Sequence, residues 1–170
     1  MTFQPVAPIP ALTFQPEHPQ HAAMVDALIE RAFGPGRYAK ASERVREFAT
    51  FAPDLSVCAW SGENLLGVAR MWHVRVGGMH AMFLGPFAVE QGERNAGFGT
   101  RLVARACEAA QAAGETHVVL VGDEPYFSRV GFSAVPGRQI ALPGPVDQRR
   151  VLVRGLTPDA VELAGPIEPA

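Results

Sequence analysis

Apolar residues recur along the chain at two different spacings, and each spacing predicts one kind of element. A spacing of three to four residues, which places them on one face of a helix, predicts helices over residues 19–33, 42–51 and 97–113. Shorter apolar or alternating runs predict strands over residues 12–15, 55–60, 65–76, 79–89, 116–121, 132–134, 138–142 and 150–154. A short helical turn is expected over residues 125–130. The order of these elements is that of an α+β domain built on one sheet.

Turn and cap residues mark where several of these elements begin and end. Gly34-Pro35-Gly36 stops the first helix, and Ser42 is expected to cap the start of the second. Gly114 is placed to end the third helix. Gly77-Gly78 is a strong hairpin signal between the two longest strands. The middle of the chain is therefore predicted to form an antiparallel meander.

The two ends of the chain differ in composition from the middle. Residues 1–11 are rich in proline and are expected to form an extended arm or a disordered tail. Residues 12–154 are expected to form a single ordered domain, as a length of 170 residues indicates. Residues 155–170 contain three prolines and are expected to form a loose C-terminal tail.

Composition and charge exclude several classes of protein. Hydrophobic residues make up 48% of the chain and charged residues 19%, which is typical of a globular protein. The net charge is -2 and no basic run is longer than Arg149-Arg150, so nucleic acid is not an expected partner. No apolar run approaches the roughly 20 residues of a membrane span, and the first residues have no basic region and an apolar stretch broken by prolines, so we expect no signal peptide. We expect a soluble, cytoplasmic protein with no membrane partner.

The two cysteines are far apart in the sequence. Cys58 and Cys107 both lie among apolar residues, which favours buried free thiols, with a single long-range disulfide as the alternative. The chain has no CxxC motif and no cysteine and histidine spacing typical of zinc. We therefore expect no metal.

The segment most indicative of chemistry runs from Phe87 to Thr100. It combines a strand, a turn with glycines and the start of a helix, where backbone amides without helical partners can bind a pyrophosphate. No Gly-Lys-Ser/Thr follows and GxGxxG is absent, so the segment is neither a P-loop nor a dinucleotide fingerprint. Spacing alone leaves the ligand open, and such glycines often only form a turn.

Three motifs in this region resemble those of the GNAT acetyltransferases. Residues 94–99, Arg-Asn-Ala-Gly-Phe-Gly, resemble the Q/R-x-x-G-x-G/A signature of the family. Residues 84–89 resemble the LGPLAV run of its YhbS-like branch, and residues 121–132 are similar to that branch's LGDPxYYxRFGF block. The resemblance implies a GNAT-type fold, with a central mixed, mostly antiparallel sheet flanked by helices in three layers (α/β/α). It also implies that acetyl-CoA is the acetyl-donating cosubstrate.

The resemblance implies a role for each part of the segment. The strand at Phe87 would pair with the pantetheine arm of acetyl-CoA and polarise the acetyl carbonyl, and a bulge at Gly85-Pro86 would open the gap beside it. Amides of the following turn would wrap the pyrophosphate. The cofactor-binding residues implied in this way are Phe87, Ala88, Val89, Arg94, Asn95, Ala96, Gly97, Phe98, Gly99, Thr100 and Phe127.

The sequence departs from the family pattern at three positions. Asn95 stands where glycine is usual and Ala96 where a basic residue is common, so we expect weaker CoA binding than in a consensus member. Phe127 stands where many members have the tyrosine that protonates the CoA thiolate, and Tyr126 is one place earlier. Either Tyr126 takes that role, or solvent supplies the proton, or the domain binds CoA without catalysis.

A general base is also required, because a protonated amine cannot attack a thioester. Asp123 is the first choice, although a cap on the following helical turn is an equal alternative for its side chain. The other candidates are Glu90, Glu124, His73 and His80.

The resemblance implies an enzyme that acetylates an amine in a ternary complex. The acceptor is a small molecule or a peptide, and its pocket would be built by the first two helices and residues 136–150. A CoA sensor that has lost catalysis is the second hypothesis, and a plain nucleotide-binding protein is the third. We also expect a homodimer, since many members associate through sheet edges.

Overall fold

The computed structural model describes residues 11–93, 97–137 and 139–170, and these form a ten-stranded sheet with helices on both faces. The proline-rich arm predicted for residues 1–11 lies almost entirely outside the described residues. The helices are α1 (Ala22–Phe33), α2 (Ala41–Phe48), α3 (Phe98–Ala112) and α4 (Glu124–Phe127). Short 3-10 turns occupy Pro19–His21, Pro35–Ala39, Gln91–Glu93, Ser128–Val130 and Gln148–Arg150.

The strands follow the predicted order, with two additions. They are β1 (Leu12–Pro16), β2 (Thr50–Phe51), β3 (Val57–Ser61), β4 (Asn64–Val76), β5 (Met79–Val89), β6 (His117–Val121), β7 (Ser133–Ala134), β8 (Ile140–Ala141), β9 (Val151–Gly155) and β10 (Gly165–Pro169). The main path through the sheet is β1-β3-β4-β5-β6-β9-β7. Strands β3, β4 and β5 form the predicted antiparallel meander, and β5 and β6 are parallel because α3 crosses between them. The mixed, mostly antiparallel sheet is thus confirmed.

Helices cover both faces of this sheet, because successive strand residues point to opposite sides. Met82 of β5 belongs to the apolar cluster beneath α3, whereas the adjacent Phe83 belongs to the cluster that includes Val45 of α2. Helix α1 packs on the same side as α2 through Val25, Leu28 and Ile29. The apolar stripe of α3 consists of Phe98, Leu102, Val103, Ala106, Cys107 and Ala110. The expected three layers are therefore present.

The second helix is shorter than predicted. It ends at Phe48, because Thr50 and Phe51 pair with His73 and Trp72 on the edge of β4. Ser42 is not its cap: Lys40 occupies that position, without a side-chain hydrogen bond to the helix. Within the ranges that the structure describes, no helix is long and apolar enough to cross a membrane.

The C-terminal segment is a strand and not the loose tail that its prolines predicted. Strand β10 pairs with residues 74–76 of β4 and, in parallel, with β8. The amide of Gly77 donates to the carbonyl of Pro166 at 3.0 Å, and Ile167 is buried. Strand β10 pairs with β8 only at residues 165–166 and with β4 only at residues 167–169, so each proline faces one neighbouring strand and its missing donor interrupts little of the pairing.

Both cysteines are buried free thiols, as predicted, and the alternative disulfide is wrong. Burial raises the pKa of Cys58 to about 12 and that of Cys107 to about 11. Because the thiolate is the reactive form, neither side chain is set up as a nucleophile.

One ion pair is buried where β1 leads into the helical layer. Arg70 of β4 donates to both carboxylate oxygens of Glu17, at 3.0 and 2.7 Å, and its third nitrogen lies 3.0 Å from Asp26. The side chains of Glu17 and Arg70 are only 2% and 13% exposed, so water can replace little of this pairing. Removal of one member therefore leaves a buried charge without its main partner.

We expect Glu17→Ala to lower the free energy of unfolding by about 3 kcal/mol. This value is at the low end of the range for a broken buried ion pair, because Asp26 keeps one contact with Arg70. For a chain of this length, the thermal midpoint should fall by roughly 6–12 °C. Calorimetric or circular-dichroism melting measures the change.

The matched control is Glu47→Ala, which removes an exposed partner of Arg44 and should change stability by less than about 0.5 kcal/mol. Equal effects of the two substitutions would show that burial of the Glu17 pair is unimportant.

Candidate active site

A gap opens between β5 and β6 towards their C-terminal ends. The two strands pair only at Met82 with Val118 and at Phe83 with Val119. Beyond these residues β6 pairs with β9 alone, and β5 pairs with β4 alone. Residues 84–89 of β5 therefore present one backbone edge to the gap with no strand partner among the described residues.

The predicted bulge at Gly85-Pro86 is present at the mouth of this gap. The register with β4 shifts there, because Leu84 lies opposite Met71 while Phe87 lies opposite Ala69. The Gly85-Pro86 peptide bond is cis. The indole nitrogen of Trp72 donates to the carbonyl of Gly85 and holds the segment in place.

Three aromatic rings line the wall below the gap. Phe87 lies 6.1 Å from Tyr126 and 5.9 Å from Phe127, between ring centroids, and the rings of Tyr126 and Phe127 are T-shaped at 4.9 Å. Phe127 is buried and also contacts Phe132, whereas Tyr126 is half-buried. A side chain at Gly122 would meet the ring of Phe127. Phe127, in the usual acid position of the family that the sequence resembles, is thus buried and lines only a neighbouring cavity, whereas Tyr126, which carries the hydroxyl, lines the cleft.

The first turn of α3 closes the other side of the gap. Gly97 precedes the helix with φ of 78°, a left-handed conformation that favours glycine, and its carbonyl accepts from the Thr100 hydroxyl at 3.1 Å. A Cβ atom on Gly99 would lie 2.5 Å from the hydroxyl of Tyr126 and 3.3 Å from the ring of Phe87. The predicted site residues Arg94, Asn95 and Ala96 lie outside the described residues.

A cleft of about 480 Å³ joins these parts. Of the residues predicted to bind the cofactor or to act in catalysis, its walls bring together Phe87, Ala88, Val89, Gly99, Asp123 and Tyr126. Phe98 does not line this cleft, because its side chain is buried in the core beneath α3.

A second cavity, of about 210 Å³, adjoins the cleft and shares Phe33, Phe87 and Asp123 with it. It is lined by Phe33 at the end of α1, by residues of α2 and the turn before it, and by Arg150, which comes from residues 136–150. Its basic lining residues are Arg37, Lys40, Arg46 and Arg150. We did not identify Arg37, Lys40 or Arg46 from the sequence, because no local sequence pattern shows that these side chains line one cavity.

Asp123 lies beside the cleft and is the N-cap residue of α4, but its side chain does not cap the helix. It precedes α4, but its side chain makes no capping hydrogen bond and lies 3.3 Å from the Nε atom of Arg150. Its backbone carbonyl instead accepts from the amides of Tyr126 and Phe127. Asp123 lines both cavities, and its side chain is 75% exposed.

The other candidate bases are less well placed. Glu90 does not line the cleft, and its carboxylate lies 3.0 Å from Arg31. His73 and His80 lie with Glu115 near the Gly77-Gly78 turn, at the end of β5 away from the gap. Glu124 lines an open basin beside Tyr126 rather than the cleft.

Burial sets the protonation state of Tyr126. It raises the pKa of the phenol, and the nearby charge of Arg129 offsets part of this effect. Because an ordinary tyrosine has a pKa near 10, Tyr126 keeps its proton at neutral pH. A protonated phenol in the cleft is suited to donate a proton.

Comparison with known proteins gives consistent matches. Residues 22–132 match the model of the acetyltransferase (GNAT) family. The GNAT family N-acetyltransferase YhbS from Escherichia coli, solved in complex with CoA, is 26% identical with a TM-score of 0.78, over 97% of this chain and 93% of that chain. A GNAT family acetyltransferase from Brucella melitensis, in complex with acetyl-CoA, is 24% identical with a TM-score of 0.68, over 93% and 95%.

More distant structures share the fold alone. A GNAT family acetyltransferase from Staphylococcus aureus Mu50 is 13% identical with a TM-score of 0.62, over 86% of this chain and 100% of that chain. No curated protein matches the sequence.

Proposed function

Because the chain belongs to the GNAT family of acetyltransferases, we propose that it transfers an acetyl group from acetyl-CoA to an amine by direct attack in a ternary complex. The observation that carries the proposal is the unpaired edge of β5 opening beside the first turn of α3. One side of this gap offers backbone groups for an extended ligand, and the other offers helix amides for an anion.

The pantetheine arm of acetyl-CoA would lie along residues 84–89. The amide of Glu90 donates to Leu66 on β4, and amides alternate in direction along a strand. The amides of Phe87 and Val89 therefore point into the gap. Either amide can pair with the arm or stabilise the negative charge that develops on the acetyl oxygen.

The pyrophosphate would lie at the N-terminus of α3. Gly99 supports this placement, because its missing side chain leaves the first turn open to the cleft. Phe98, with its side chain directed into the core, and Thr100, whose hydroxyl is bonded to Gly97, would contribute their backbone amides. Arg94, Asn95 and Ala96 remain predicted contacts of the same group.

The chemistry then needs one proton donor and one acceptor. The neutral amine nitrogen forms a bond to the acetyl carbon as the carbon–sulfur bond breaks and its electron pair remains on sulfur. Tyr126 donates a proton to that sulfur, and Asp123 accepts the proton that the nitrogen loses. A thiol with a pKa near 8.5 is a fair leaving group, so the acid assists departure rather than being indispensable.

A CoA sensor without catalysis is the second candidate, and Phe127 is the feature that favours it. Its ring carries no acidic proton and is buried in the family's usual acid position. The two candidates predict the same ligand and differ only in turnover.

The buried free thiols support a reducing, cytoplasmic compartment for either function. A net charge of -2 gives no reason to expect nucleic acid as a partner.

Calorimetric titration with acetyl-CoA, CoA and ATP in parallel tests the proposal. We expect both CoA species to bind and ATP to remain silent. Release of free thiol in the presence of amines then separates the enzyme from the sensor. Absence of binding by every CoA species would refute the site.

A further inference from the structure

We propose that the acceptor is a small amine that carries its own anionic group, held in the 210 Å³ cavity beside Asp123. This inference rests on the proposed acetyl transfer and adds the chemical class of the acceptor. The cavity meets the cleft at Phe33, Phe87 and Asp123, so an amine there lies where the thioester would arrive.

The walls of this cavity are strongly basic. Four cationic side chains line it, and Asp123 is the one carboxylate that does so among the described residues. Three of the cations have a carboxylate within ion-pair distance: Arg150 has Asp123 at 3.3 Å, Arg46 has Glu43 at 2.7 Å, and Arg37 has Glu30 only at 3.9 Å. Lys40 makes no ion pair within the described part of the chain, and its ammonium lies 5.2 Å from the centre of the Phe33 ring.

Arg37 has more hydrogen-bond donors than partners. Its side chain is 15% exposed, and its buried Nε atom makes no hydrogen bond to any residue that the structure describes. The carboxylate of Glu30 lies 3.9 Å away, and one terminal nitrogen donates to the hydroxyl of Tyr38. A guanidinium in this state gains from a nearby anion, because charge-assisted hydrogen bonds are the strong ones.

Arg46 brings a second guanidinium towards the mouth of the gap. Its Nε and Nη2 atoms bind Glu43 at 3.2 and 2.7 Å, whereas its Nη1 atom would lie 3.2 Å from a Cβ atom on Gly85. Burial lowers the pKa of Arg46, and the charges of Arg37 and Arg70 lower it further, although Glu43 opposes this. The positive charge in this corner is thus only partly compensated.

Charge and size together select the acceptor. An amine in water is usually a cation, and a cation entering this basic cavity is repelled unless it brings a negative group. The volume is below the roughly 300–1,000 Å³ of sites for drug-sized ligands, which favours a small acceptor over a peptide. A carboxylate or a phosphate on the acceptor would face Arg37, Lys40 and Arg46, with the amine towards Asp123.

Matched amine pairs test this inference at saturating acetyl-CoA, with thiol release as the readout. The pairs are glycine with glycinamide and phosphoethanolamine with ethanolamine, each compared at equal concentration of unprotonated amine. In at least one pair, kcat/KM for the anionic amine should be at least tenfold higher than for its neutral partner. The pair with the larger ratio shows whether the cavity prefers a carboxylate or a phosphate. A tripeptide with a free N-terminus forms a third arm.

Lys40→Glu is the charge variant, because Lys40 is exposed and its replacement should leave the fold intact. It should lower kcat/KM for the anionic amine by roughly tenfold or more and leave the Kd for acetyl-CoA unchanged. Arg105→Glu, on the exposed side of α3, is the matched control and should change neither value. Melting curves confirm that both variants fold.

The outcomes separate this inference from the proposed function. Equal or faster turnover of the neutral amines or of the tripeptide overturns the inference and leaves acetyl transfer standing. Acetyl-CoA binding without turnover of any anionic amine overturns it too and favours the sensor. Failure to bind acetyl-CoA overturns the proposed function and the inference with it.

Discussion

Gly99→Glu should abolish acetyl-CoA binding in a protein that still folds. The new side chain would enter the cleft beside Tyr126 and Phe87 and place a negative charge where the pyrophosphate is expected. Two like charges about 4 Å apart at an effective dielectric constant near 20 repel by about 4 kcal/mol, which is roughly three decades in Kd. A carboxylate in the first turn of a helix favours the helix itself, so the fold should survive. Calorimetry with acetyl-CoA measures the loss.

Two variants separate charge from bulk and from non-specific effects. Gly137→Glu adds the same side chain in open space on the loop after β7 and should leave affinity unchanged. Gly99→Ala displaces the Tyr126 hydroxyl without adding charge and should weaken binding less than glutamate does. Gly97→Glu should also abolish binding, but strain at a φ of 78° makes its result less specific. Wild-type affinity in Gly99→Glu would remove α3 from the site.

Tyr126→Phe should lower kcat by about 100-fold and leave the affinity for acetyl-CoA unchanged. This effect is at the low end of the range for loss of a general acid, because the thiolate is a fair leaving group without protonation. The substitution keeps the ring that packs against Phe87 and Phe127 and removes only the proton donor. Thiol release under saturating conditions measures the rate, and calorimetry measures the affinity.

The pH profile gives an independent readout of the same role. Burial raises the pKa of Tyr126, so the acid form persists through the neutral range and is lost only as pH rises through that raised value. The wild-type kcat should therefore show no alkaline decline below pH of about 10, and any decline above it should be absent in Tyr126→Phe.

Tyr126→Phe/Phe127→Tyr returns a hydroxyl at the neighbouring position and should not restore the rate, because the ring at 127 is buried against Phe132 and Gly122. A kcat for Tyr126→Phe within twofold of wild type would assign the proton to solvent.

The parts of the fold that were predictable carry strong local signals. The β4–β5 hairpin is long, apolar and joined by Gly77-Gly78, and its ends in the structure agree with the prediction to within a residue. Helix α3 has a continuous apolar stripe and a glycine beyond its last turn. In both cases the sequence pattern and the packing require the same element.

The errors occur where distant residues decide the structure. Thr50 and Phe51 continue a helical pattern, yet they leave the helix because the edge of β4 offers them partners. Strand β10 has prolines and few apolar residues, so its pairing with β4 has no local signature. Propensity is overridden here by long-range hydrogen bonding.

The candidate site also has a part with a local sequence signal and a part that depends on distant residues. Gly99 and Phe87 lie in a contiguous motif and could be predicted to share a site, and Gly99 does lie against Phe87 in the structure. The cavity under α2 could not be predicted in detail, because Arg37 and Arg46 reach it from different turns of the helical layer and Arg150 from the far side. Convergence of this kind depends on tertiary structure alone.

The pairing of β10 with β4 also limits how two copies of the chain can associate. Along the edge of β4 that faces away from β5, residues 64–69 pair with β3, Trp72 and His73 with β2, and residues 74–76 with β10. A dimer formed by strand addition therefore cannot use this edge of β4, whereas β1 and β7, at the two ends of the main path, each pair with one strand and keep a second edge. Removal of residues 163–170 would leave residues 74–76 of β4 with an unpaired backbone edge. Association of two truncated copies through this edge would then result from the truncation, because β10 covers the edge in the native molecule.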